Sequence, residues 1–207
     1  MRVARAFVVL AIFGSAGLAW SGSCRAQDYN SAESLCVAYA GQPILVARGQ
    51  TKSATCDYIR NVVAGLREAV KATPFGALAR RIKSNPDKPW AEILTSEPTL
   101  RQSCSREWSL REVAYGCRMS GIDTRVVLNQ SGTIARWEIP VPASSPLLAN
   151  QFALQRAEDG VDSYTGEGVR FMLDALAMRF RQLASDGESY NVSGASLVVT
   201  IINVHGS

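Results

Sequence analysis

The chain has 207 residues, with 22 Lys and Arg against 18 Asp and Glu, one His and five Cys. A hydrophobic fraction of 47% with 19% charged residues excludes a wholly disordered chain and leaves ample material for a core. The single histidine, His205, leaves little room for a multi-histidine metal centre.

Arg2 and Arg5 precede an uncharged apolar run over 6–20, and the small residues Ser21, Gly22, Ser23 and Ala26 follow. This pattern predicts a secretory signal over 1–26, cut before Gln27, because the run falls short of the roughly 20 residues a membrane span needs. An uncleaved anchor is the first alternative. Lipidation at Cys24 is the second, although Ser21 is polar where a lipoprotein signal carries an aliphatic residue. Loss of Arg2, Arg5 and Arg25 would take the basic count from 22 to 19 against 18 acids, a balance of +1. A nearly neutral mature chain gives no electrostatic ground for a nucleic-acid partner. Membrane contact is then expected only through the signal segment.

Residues 31–40 suggest a short helix stopped by Gly41 and Pro43, and 44–47 a short strand or extended linker. Over 55–72, Cys56, Ile59, Val62, Val63, Leu66 and Val70 recur on one helical face. Thr73-Pro74 opens another helix bearing Phe75, Leu78 and Ile82, which 85–89 breaks. A short helix follows around Trp90, Ile93 and Leu94, and Glu97-Pro98 precedes a further short turn ending near Cys104. The pattern then turns β-like over 112–120, 124–128 and 133–141, with a turn at 129–132. Trp137 is expected to face inward with Ile139 on the opposite side. A helix from Ser145-Pro146 to about 157 leads into a polar loop over 158–168. The next helix, 168–184, carries Val169, Met172, Leu173, Leu176, Phe180 and Leu183, and Asp186-Gly187 ends it. The apolar run 197–204 reads as a central strand covered on both faces. The order predicts an α+β fold. Helices over 31–104 and a mixed part over 112–207 would form one domain from 27 to 207, with an antiparallel sheet of about four strands packed on helices.

The mature chain keeps Cys36, Cys56, Cys104 and Cys117, an even number in a chain routed to an oxidising space. Two disulfides are expected. Three connectivities exist, and loop closure favours Cys36–Cys56 with Cys104–Cys117. The cysteines lack the close pairing of a zinc site.

Four sets of residues are candidates for function. Glu158, Asp159, Asp162 and Glu167 could hold calcium, although Val161 stands where the twelve-residue calcium loop needs a ligand. They could equally be a solvated loop ahead of a helix. Arg106, Glu107, Arg111 and Glu112 around Trp108 could form a binding edge, with Arg recognising carboxylate or phosphate, or a set of surface ion pairs. Trp90, Trp108 and Trp137 could be a platform or core anchors. His205 lies two residues from the chain end. No nucleophile elbow, phosphate loop or dinucleotide loop is present, so no cofactor, metal or catalytic residue is assigned. Asn191-Val192-Ser193 matches a glycosylation acceptor, relevant only in a eukaryotic secretory route.

Residues 56–60 (CDYIR) and 62–66 (VVAGL), then Asn85-Pro86 and Cys104, faintly resemble the Rap1a/Tai family of small helical, disulfide-bonded immunity proteins of bacterial secretion systems. The likeness covers about 56–104 and lacks that family's Cys-x-Pro element. It implies an inhibitor of a toxic enzyme. The residues themselves favour an exported, disulfide-stabilised, non-enzymatic binding or accessory protein, with another protein or an envelope ligand as partner. A hydrolase using Glu158 or Asp162 is the alternative from a different class.

Overall fold

A computed structural model describes residues 29–69, 80, 84–119 and 121–203. The signal segment, Cys24, most of the helix expected after Thr73 and His205 lie outside the described residues. Among the described residues no helix is long and apolar enough to cross a membrane.

Ser31 opens α1 (Ala32–Tyr39), where the Ser31 and Ser34 side chains cap each other's backbone N–H. Two strands follow, β1 (Pro43–Ala47) and β2 (Gln50–Ser53), joined at Arg48-Gly49. Both turn residues have positive φ, +51° and +74°, the geometry of a two-residue hairpin whose twist matches its strands. Next come α2 (Cys56–Ala69), α3 (Trp90–Ser96) and α4 (Pro98–Ser103). A meander then runs through β3 (Cys104–Glu107), β4 (Val113–Met119), β5 (Ile122–Leu128) and β6 (Ile134–Pro142). The remaining elements are α5 (Pro146–Asp159), β7 (Ser163–Tyr164), α6 (Gly166–Leu183), β8 (Glu188–Ser193) and β9 (Ser196–Ile202).

The fold is α+β, as the order of elements predicts, but the main sheet has six strands rather than four, in the order β3-β4-β5-β6-β9-β8, all antiparallel. A smaller sheet, β2-β1-β7, is also antiparallel. The additional strands β2, β3, β7 and β8 carry little hydrophobic alternation. Their ladders are set by neighbours: β8 pairs with β9 along its length, and β7 contributes two residues to β1 inside the stretch expected to be a loop.

Helix α6 is the axis of the core. Phe171 to Met178 and Phe180 are buried around its whole circumference, because it meets β1, α1 and α2 on one side and β8 on the other. Leu183, expected on the apolar face, is partly exposed at the helix end. The sheet supplies Trp137, Ile139 and Val141 from β6 and Leu197, Val199 and Ile201 from β9. Ile139 therefore lies on the same face as Trp137, not opposite it, as the two-residue period of a strand requires. β9 is paired on both sides, between β6 and the edge strand β8, rather than at the centre of the sheet, and it is deeply buried on one face only: Ile202, on the other, is 45% exposed.

The four cysteines pair as loop closure favours. Cys36–Cys56 staples α1 to the first residue of α2, and Cys104–Cys117 joins directly opposed residues of β3 and β4 with Cα atoms 4.0 Å apart.

Candidate functional site

The outer face of the main sheet carries two rows of paired residues. One runs Glu107, Ala114, Val127, Arg136; the next runs Ser105, Gly116, Arg125, Glu138. Glu107 lies across Gly116 and accepts a hydrogen bond from Arg125 at 2.8 Å; a Cβ on Gly116 would come within 3.1 Å of the carboxylate. Glu112, in the connection between β3 and β4, accepts from Arg125 at 2.6 Å and from Arg136 at 2.9 Å. Arg136 also donates to Glu138 at 2.7 Å. These long side chains roof Ala114 and Val127, which are buried although they belong to the outer face. The hydrogen bond from Arg125 holds the Glu112 carboxyl below its ordinary range, and Arg136 adds to this against a desolvation cost.

That network decides what the connection 108–112 presents. Trp108 and Leu110 are completely exposed, the most exposed large apolar side chains among the described residues. Arg106 and Arg111 are exposed beside them and make no ion pair among the described residues. Sequence alternation suggests that these arginines pair with Glu107 and Glu112. Instead both glutamates turn back to Arg125 and Arg136, because strand pairing brings those guanidiniums over the same row. The connection and the β5–β6 turn enclose a cleft of about 540 Å³, lined by Arg106, Trp108, Arg111, Val113, Asn129 and Gln130 among others. Arg106, Trp108 and Arg111 are thus brought together. Leu110 completes the set; sequence reading missed it because a leucine among charged residues carries no signal of exposure.

Trp90 and Trp137 are core anchors, 1% and 2% exposed and stacked edge to face at 5.9 Å. The Trp137 indole N–H donates to Thr124 Oγ1 at 3.0 Å.

The acidic candidates do not converge. Glu158 is exposed at the end of α5. Asp159 accepts from the Tyr58 hydroxyl at 2.8 Å and from Gln155 at 3.1 Å, tying α5 to α2. Asp162 accepts from the Arg48 backbone N–H at 2.7 Å, and its own N–H donates to the Val46 carbonyl, so it holds the β1–β2 turn in its positive-φ form. Glu167 sits exposed in the first turn of α6. No group of three or more His, Cys, Asp or Glu placed to share a metal ion occurs among the described residues.

One buried acid was not anticipated. Asp174 of α6, 3% exposed, accepts from the Tyr39 hydroxyl at 2.5 Å and from Arg170 Nε at 3.3 Å. Burial raises its pKa, and those two donors oppose the shift. The available signal was an Asp amid Leu173, Ala175 and Leu176 with an Arg four residues before it. The arrangement clamps α1 onto α6.

The Rap1a/Tai-like stretch, 56–104, spans α2 to the first residue of β3 and ends before the exposed connection. Cys56 and Cys104 both bond to cysteines outside it. The chain matches no family model, no curated protein and no solved structure.

Proposed function

We propose that the chain is an exported, disulfide-braced binding protein of the cell envelope or its surroundings, acting through the β3–β4 connection without catalysis. Two paired sets of cysteines support an oxidising compartment, and the signal-like pattern of 1–26 supports the route to it. The observation that carries the binding role is the complete exposure of Trp108 and Leu110 between two arginines. Tryptophan and arginine dominate binding energy at interfaces. The support beneath them is rigid: a disulfide at one end of the hairpin and an ion network under the connection reduce the ordering cost of association.

The test is retention of the exported chain by a native envelope fraction. The native chain is retained, and Trp108→Ser with Leu110→Ser loses most of that retention. Equal retention of the two proteins refutes the role of this surface.

A further inference from the structure

We infer that the β3–β4 connection seats on an anionic lipid bilayer, with Trp108 and Leu110 entering the interface and Arg106 and Arg111 engaging headgroup phosphates; this rests on the binding reading above and names its partner. Three observations favour a bilayer over a protein surface. First, Trp108 and Leu110, separated by Ser109, border the cleft yet are completely exposed, so their apolar surfaces are open to a surrounding phase. A bilayer interface accepts such a protruding pair without a complementary recess, and tryptophan is enriched there because its apolar ring carries a polar N–H. Secondly, the charge is sorted. Glu107 and Glu112 are drawn onto Arg125 and Arg136, leaving Arg106 and Arg111 as the free charges around the tip. Thirdly, Arg106 and Arg111 both line the cleft, with Gln130 across it as a further polar group for a headgroup. The mature chain is close to neutral as a whole, so attraction to an anionic leaflet belongs to this tip rather than to net charge. The proposal adds a contact to that of the signal segment.

The test is co-sedimentation of the oxidised exported chain with vesicles of phosphatidylcholine alone or of phosphatidylcholine with phosphatidylglycerol, together with tryptophan emission. Binding to the anionic vesicles is expected to be about twenty-five-fold stronger, from roughly fivefold for each of the two arginines, and to weaken with added salt. Emission shifts to the blue on binding. Trp108→Ser with Leu110→Ser loses at least tenfold in partitioning. Arg106→Gln with Arg111→Gln removes the preference for phosphatidylglycerol. Trp108→Phe keeps binding but loses the emission shift. Val37→Ser, which alters another apolar side chain 88% exposed, leaves binding unchanged and separates the tip from general stickiness. All of these side chains are exposed, so each variant should unfold at the native midpoint. Vesicle binding that ignores the Trp108 and Leu110 changes, or that is equal on both vesicles, overturns the proposal. Competition by free glycerol phosphate without an emission shift overturns the bilayer as the source of the phosphate. Absence of vesicle binding overturns the lipid assignment too. If envelope retention still depends on Trp108 and Leu110 in that case, the partner is an acidic protein and the binding reading stands; if retention is also independent of them, both readings fall.

Discussion

Gly168 and Ile44 bring α6 and β1 into direct backbone contact. A Cβ on Gly168 would lie 2.0 Å from the Ile44 carbonyl oxygen, so the first turn of α6 rests directly on β1. Thr165 completes the join: its hydroxyl donates to the Pro43 carbonyl at 2.7 Å and accepts from the Gly168 N–H at 3.1 Å. Within a helix, alanine is ordinarily better than glycine by about 1 kcal/mol. Here the sign reverses, because the opposing atom is backbone and cannot rotate away. Gly168→Ala is expected to destabilise the fold by about 3 kcal/mol, the upper range for overpacking, as measured by urea unfolding.

The bridges predict a thiol count. Labelling of the unfolded, unreduced mature protein should find no free sulfhydryl. Replacing both Cys104 and Cys117 by serine should cost about 3 kcal/mol, as should replacing Cys36 and Cys56, since the bridged cysteines are separated by 13 and 20 residues. Four labelled thiols would remove the bracing and the oxidising address with it.

Asp162 serves the β1–β2 turn. Asp162→Ala is expected to cost about 1 kcal/mol through loss of a charge-assisted bond to a backbone N–H at a residue of positive φ. Asp162→Asn, which keeps an acceptor, should recover much of that loss. A calcium titration that stabilised the native protein but not Asp162→Asn would contradict this assignment.

Asp174 and Glu112 act oppositely with pH. Asp174 has a raised pKa, so the folded state holds its proton more tightly than the unfolded state does. Its contribution is most favourable below the ordinary carboxyl range and falls as pH rises through the raised value. Glu112 has a lowered pKa, so its contribution is present above the ordinary carboxyl range and is lost as pH falls through the lowered value. Stability profiles of Asp174→Asn and Glu112→Gln against the native protein should therefore differ with opposite slope. Tyr39→Phe, which leaves the buried Asp174 with one donor fewer, should cost about 2 kcal/mol at neutral pH.

Arg125 bridges Glu107, Glu112 and Glu138. It is 30% exposed, so solvent screens the network, and Arg125→Ala should cost about 1 kcal/mol and lose part of that effect at high salt. The same change frees Glu107 and Glu112 to meet Arg106 and Arg111. Binding through the connection should then fall without any change at Trp108.

The helices α1, α2, α5 and α6 were legible because each carries its own stop or cap signal or a 3.6-residue apolar period. The strands β4, β5, β6 and β9 were legible from β-branched residues and the turn at 129–132. β8 (ESYNVS) was not: its buried Tyr190 and Val192 alternate with polar residues in too short a run to stand out, and its place depends on β9 being there to pair with. At the site, Arg106, Trp108 and Arg111 were visible as residue types, but their freedom was not. It follows from Arg125 and Arg136, whose row is set by strand register. In the sequence Asp159 and Asp162 read as available ligands because the groups that claim them, Tyr58 and the Arg48 amide, lie about a hundred residues earlier.

Among the described residues the cysteines pair in chain order, Cys36 with Cys56 and Cys104 with Cys117, and the two loops do not interleave. A chain that threads out of the cytoplasm from its leading end delivers its sulfurs in that sequence. In the exported chain proposed above, with residues 1–26 and their Cys24 removed, an oxidase that couples the sulfurs as they emerge makes the native linkage by default.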